Sequence, residues 1–135
     1  MLTPSETRAI HSSWMSVASK STEAGEAFYR ELFRIAPDVR PLFRGDMQVQ
    51  SRKLMDTLAT VVNSLDDPTS LVPVVESLGR RHHGYGARNR HYEAVGRALI
   101  NTLREYNGSG FGSEAEAAWT KAYGALSAIM QKASG

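Results

Sequence analysis

Every apolar stretch of this chain repeats at steps of three and four residues, and no segment alternates apolar and polar as a half-buried strand would. That periodicity confines the chain to helix packed on helix. Thr3-Pro4-Ser5-Glu6 offers a capping hydroxyl, a first-turn proline and a reciprocal Glu, and Ile10, Trp14 and Val17 follow on one face. A second helix from about residue 22 carries Ala24, Phe28, Tyr29, Leu32, Phe33 and Ile35 and ends before Pro37. Residues 37–43, with prolines at 37 and 41, read as a corner. Residues 47–65 make the strongest helix, with Leu54, Leu58, Val61 and Leu65 on one stripe, and Asp66-Asp67-Pro68 breaks it. Further helices are predicted from about 70 to 83 and from about 90 to 106. A glycine-rich turn then leads to Ser113-Glu114-Ala115-Glu116, a second capping box, and a last helix reaching about Lys132. The fold class is all-α, about seven helical pieces in a single domain spanning 1–135.

The absence of cysteine excludes disulfides, thiolate metal sites, a cysteine nucleophile and thioether-attached haem. Any metal must therefore be held by His, carboxylate or Met, or arrive inside a cofactor. No apolar run approaches the ~18 residues of a membrane span, and the start MLTPSETRAI has no signal-peptide pattern, so no membrane association and a cytoplasmic location are expected.

The informative residues are polar side chains on apolar faces. Leu71, Val75, Leu78 and His82 follow at steps of four, three and four, which keeps them on one helical stripe. His82 thus points where the leucines point, and His83 faces elsewhere. By periodicity alone, a core or half-buried imidazole near a helix C-terminus is the better reading of His82. Gln50 shares the stripe of Leu54 and aims an amide at the core, although alone it reads as a polar residue of a first turn. Tyr29, between Phe28 and Leu32, alone reads as a core aromatic whose hydroxyl finds solvent or a carbonyl. Arg80, Arg81, His82, His83, Arg88, Arg90 and His91 crowd together, which suits an anion, an acidic partner or simply a solvated face. No interleaved aromatics or helix-turn-helix spacing accompany them, so no nucleic-acid binding is expected.

The runs FYRELFRIAPDVRPLF at 28–43, QSRKLM at 50–55, LGRRHHGYG at 78–86, HYEAVG at 91–96 and AAWTKAYG at 117–124 together resemble the bacterial single-domain haemoglobins. Globins of that type also form the haem domain of flavohaemoglobins, and the resemblance covers nearly the whole chain. It implies the globin fold, a three-on-three helical sandwich around a b-type haem. It also implies that His82 is the proximal iron ligand and that Phe43 stacks on the porphyrin. Tyr29, Gln50 and Leu54 match the distal pocket, Lys53 and, less closely, Arg81 match residues that meet haem propionates, and Tyr92 matches a tyrosine near the iron-bound imidazole. Leu54, Leu58, Leu71, Val75, Leu78, Val95 and Leu99 are apolar candidates for the walls of the slot. The family's late glutamate, which would make the proximal histidine more electron-donating, falls at about Ser134 and is absent here, which weakens the case for peroxidase-like activation.

The function implied is reversible binding of dioxygen, for storage or delivery, with Tyr29 and Gln50 as hydrogen-bond donors and carbon monoxide and nitric oxide as further ligands. The alternative is a nitric oxide dioxygenase. The chain ends at Gly135, without a flavin and nicotinamide domain, so that reaction would need an external reductase. A monomer or weak homodimer is expected. A third possibility, a helical module without cofactor, would use the 80–91 basic cluster to bind an acidic partner.

Overall fold

A computed structural model describes residues 2–134, and they form six α-helices and two short 3-10 pieces, with no strand among them. The helices are α1 (Pro4–Ala18), α2 (Ser21–Ile35), α3 (Met47–Asn63), α4 (Pro68–Gly84), α5 (Asn89–Asn107) and α6 (Ser113–Ser134). Pro37–Leu42 is a 3-10 corner between α2 and α3, and Gly108–Gly110 is a 3-10 turn before α6. No described helix is long and apolar enough to cross a membrane.

Local chemistry sets most of the boundaries. The Thr3 hydroxyl accepts from the Glu6 N–H at 3.1 Å, and the Glu6 carboxylate accepts from the Thr3 N–H at 2.8 Å, closing the first capping box. Asp46 caps α3 and Asp67 caps α4, so the Asp66-Asp67-Pro68 break is also the start of the next helix. The second capping box does not form. Ser113 is the first helical residue of α6, and the Glu116 carboxylate pairs instead with Arg104 on α5, a full cation that outcompetes a backbone N–H.

The helices sort into two layers, α1, α3 and α4 against α2, α5 and α6, with the closest pairings α4 with α6 and α2 with α5. Ile10, Trp14 and Val17 of α1 meet Ala118, Trp119 and Ala122 of α6 in the main core, which also takes Phe28, Leu32, Leu99 and Leu103. Its one deep polar link is satisfied: the Trp119 indole donates to Ser13 Oγ at 2.7 Å, and Ser13 donates on to the Ala9 carbonyl. Glu31 joins α2 to α5 by accepting from Asn101 Nδ2 at 2.7 Å, and hydrogen bonds from Arg34 and Asn101 hold its carboxyl down at about 2.

Glycines mark two of the close helix crossings. A Cβ on Gly25 would lie 3.0 Å from Ser51 Cβ, so α2 and α3 nearly touch there. A Cβ on Gly79 would lie 2.4 Å from the Met130 carbonyl oxygen, which fixes α4 against α6.

Candidate functional site

α3 and α4 meet only near their connection, where Val61 and Leu65 pack on Leu71 and Val75, sealed from behind by Leu126, Ile129 and Met130 of α6. They are not among the closely packed helix pairs. Gln50 lies eleven residues before Val61 and His82 eleven after Leu71, so at about 1.5 Å per residue each stands roughly 16 Å from the joint. Between these helices and the corner, Leu42, Phe43, Leu54, Leu58, Leu78 and Val95 stay half-buried, an apolar lining with one side open. Leu71 and Val75 are not part of it. They are buried in the joint itself, because their stripe turns toward α6 before it reaches the slot. Leu99 is likewise buried in the main core.

His82 is exposed at the last turn of α4. Its Nδ1 lies 2.7 Å from the Leu78 carbonyl, one turn back on the same helix. A carbonyl only accepts, so Nδ1 carries a proton, and in the neutral ring that leaves the lone pair on Nε2, the form that binds a metal. Among the described residues no three His, Cys, Asp or Glu side chains converge to hold a metal ion. A metal held by His82 must therefore bring most of its ligands with it, which is what a macrocycle does.

Tyr29 is buried on α2, one turn beyond Gly25. Its ring meets Phe43 edge-on, 5.2 Å between centroids at 71°, and Phe28 at 5.0 Å and 81°. Thus the corner and the tyrosine helix come together at these rings. Burial pushes the Tyr29 phenol up to about 12, so it stays a protonated donor at neutral pH, and no described residue accepts from it. Gln50 is half-buried on the first turn of α3, next to Ser51 at the crossing with Gly25. Leu54 follows one turn on.

Lys53 and Arg81 are both exposed, one on each helix flanking the slot. Tyr92 is buried on α5, and Val95 is half-buried on the next turn. The basic run divides in the structure. Arg90 is tied to Asp38 at 2.8 Å, and Arg88 turns back onto the Ala87 and His83 carbonyls at 2.9 and 3.4 Å. Arg80, Arg81 and His83 remain exposed around His82. Two surface grooves, about 300 Å³ between α2 and α5 and about 610 Å³ beside the start of α1, lie on other faces and share no lining residue with the site.

Sequence reasoning missed three contributors. The Leu78 backbone carbonyl, which orients His82, has no signature beyond lying one turn before a histidine. The Tyr123 hydroxyl donates to the Tyr92 carbonyl at 2.6 Å and so fixes the tyrosine below the slot. Tyr85, 65% exposed at the end of α4, lies 6.0 Å from the His82 ring and walls its outer side.

The structure thus places an exposed histidine at the end of α4 and half-buried apolar side chains on the neighbouring helices, and comparison with known proteins gives the class. The globin family model matches residues 26–130, and the chain belongs to the globin family. It is 34% identical over 134 residues to a flavohemoprotein of Bordetella parapertussis, an alignment covering 96% of this chain and 33% of that protein. A flavohemoprotein of Chromobacterium violaceum is 32% identical over 102 residues, 73% of this chain and 25% of that protein. The chain thus spans about a third or less of the length of these curated relatives.

Proposed function

We propose that this globin holds a haem b between α3 and α4 and reversibly binds dioxygen, carbon monoxide and nitric oxide on the side lined by Tyr29 and Gln50. The observation that carries the reading is the His82 ring, exposed at the end of α4, whose Nδ1 is committed to the Leu78 carbonyl, leaving Nε2 as the nitrogen free to bind a metal. Haem, when bound, supplies an iron with one position for a diatomic gas and a redox couple. His82 would hold that iron, Phe43, Leu54, Leu78 and Val95 would cover the porphyrin faces, and Lys53 and Arg81 would meet its carboxylates at the rim.

Tyr29 and Gln50 set the chemistry of the other face. Both are hydrogen-bond donors beside an apolar wall, where a partly negative gas atom gains more from a donor than it does in water. A donor bond to a charged partner is worth about 1.5–3 kcal/mol, or roughly ten- to a hundredfold in affinity. Two such donors make a slow-releasing binder rather than a fast carrier. The flavin in the relatives' names favours one second reading, nitric oxide oxidation sustained by a flavin-bearing reductase. Steady nitric oxide consumption with such a reductase present, and none without it, separates the two.

The deciding experiment is the absorption spectrum of the purified protein with and without reductant and carbon monoxide. A Soret band that shifts on both additions, and that is lost with the pigment in His82→Ala, is the expected result. A colourless protein that takes up no haem, or a His82→Ala variant with full haem content and an unaltered spectrum, overturns the assignment.

A further inference from the structure

One buried titratable group has no part in the site described above. His91 is 8% exposed and is the third residue of α5. Its Nδ1 accepts from the Arg88 N–H at 3.0 Å, in the place where a capping box uses a carboxylate. A nitrogen that accepts holds no proton, so the ring is neutral with its hydrogen on Nε2. That Nε2 is buried without a hydrogen-bond partner and lies 3.7 Å from Asp38 Oδ2, which already accepts from Arg90 at 2.8 Å.

The bond to Arg88 closes the turn that leaves His82. Within that turn the Arg88 guanidinium donates to the Ala87 and His83 carbonyls, and Gly86, at a φ of 100°, packs so closely that a Cβ would lie 3.0 Å from Leu42 Cδ2. Leu42 adjoins Phe43, so this turn bears on the histidine and on the corner at once. A Glu or Gln at position 91 would hold the cap at any pH; a histidine makes it conditional. A second proton must go to Nδ1, and the Arg88 N–H then loses its acceptor. The charged groups facing the ring are Asp38 on the corner, which favours imidazolium, and Arg88 and Arg90 of its own turn, which oppose it together with the helix N-terminus. Asp38 is only 3.7 Å away, so the protonated ring has an alternative partner and the turn has two bonding arrangements.

We propose that His91 is a positioning residue: its neutral ring clasps the turn behind His82, and a proton taken up there exchanges the Arg88 bond for one to Asp38 and loosens the seat of His82 and Phe43. The proposal rests on the reading of His82 as iron ligand only for its effect on gas binding.

The test uses the reduced, carbon-monoxide-saturated protein. As the pH is lowered, the Arg88 amide resonance moves along a one-proton curve, and the carbon monoxide dissociation rate changes at least threefold along the same curve. His91→Gln keeps the acceptor, and is expected to lose both dependences while retaining the rate seen at high pH. Asp38→Asn, which removes the alternative partner, shifts the titration to lower pH. An Arg88 resonance that does not respond to pH, or a rate titration that persists in His91→Gln, overturns the proposal. Should no carbon monoxide adduct form, the reading of His82 fails, but hydrogen exchange at the Arg88 amide still decides the clasp. After correction for intrinsic exchange, its protection drops at least threefold on acidification, and unchanged protection overturns it.

Discussion

The Tyr123 hydroxyl donates to the Tyr92 carbonyl at 2.6 Å, across a crossing where the Tyr123 ring fills the space a side chain at Gly96 would take. One bond therefore ties α6 to the backbone beneath the slot. Tyr123→Phe keeps the ring and removes the bond, and should lower stability by about 1 kcal/mol with little structural change. A urea midpoint equal to that of the parent would contradict this role.

The α4–α6 crossing is less forgiving. Gly79→Ala puts a methyl 2.4 Å from the Met130 carbonyl oxygen, and the obstacle is backbone rather than a side chain that could turn away. The cost expected is about 3 kcal/mol, at the upper end for overpacked sites. Gly45→Ala, where nothing lies within 4 Å, serves as the control and should change stability by less than about 0.5 kcal/mol. Similar denaturation curves for the two variants would show that the crossing gives way.

If, as proposed, the Tyr29 hydroxyl donates to the bound gas, Tyr29→Phe should speed dioxygen release by roughly tenfold or more, while the ring contacts with Phe28 and Phe43 remain. Stopped-flow displacement reads this directly. An unchanged release rate would remove Tyr29 from the ligand's surroundings.

Burial raises the Tyr29 phenol to about 12 and moves Tyr92 and Tyr123 in the same direction. Above the ordinary tyrosine value of about 10, the unfolded chain loses these protons before the folded one does. The unfolded state then binds fewer protons, and stability falls as pH rises. Their contribution is complete below about pH 10 and declines from there toward the raised folded values. Thermal melting from neutral pH to pH 12 should show this decline, with a shallower slope in Tyr29→Phe. Identical slopes in the two proteins would rule out Tyr29 as a source.

Much of the frame could be read from the chain because its signals are local. Thr3 with Glu6, the stripe through Leu54 and Leu58, and the prolines at 37 and 41 each act within a turn or two of themselves. Partners across the fold left no such trace. Periodicity says that Leu71 and Val75 are buried, but not that α6 rather than the slot buries them. Composition says that Glu116 can cap α6, but not that Arg104 stands nearby. His91 reads as one cation of a basic run, and only the third dimension places it indoors with its Nδ1 on a backbone amide. For the candidate site, the sequence pattern singles out positions 29, 50 and 82 as polar residues on apolar faces, whereas the Leu78 carbonyl that meets His82 Nδ1 left no trace in it.

The near-contact of Gly25 with Ser51 has one more consequence. Tyr29 lies four residues from Gly25, about 6 Å along its helix, and Gln50 is adjacent to Ser51, so both donors sit close to the fulcrum of the two helices. A rocking of α2 against α3 moves groups near a fulcrum least, and their mutual spacing survives motions that would disperse groups farther out. The backbone positions 29 and 50 therefore keep their spacing, and because the Tyr29 ring is itself buried in the main core, a change there is felt by the packing that holds the two helices together.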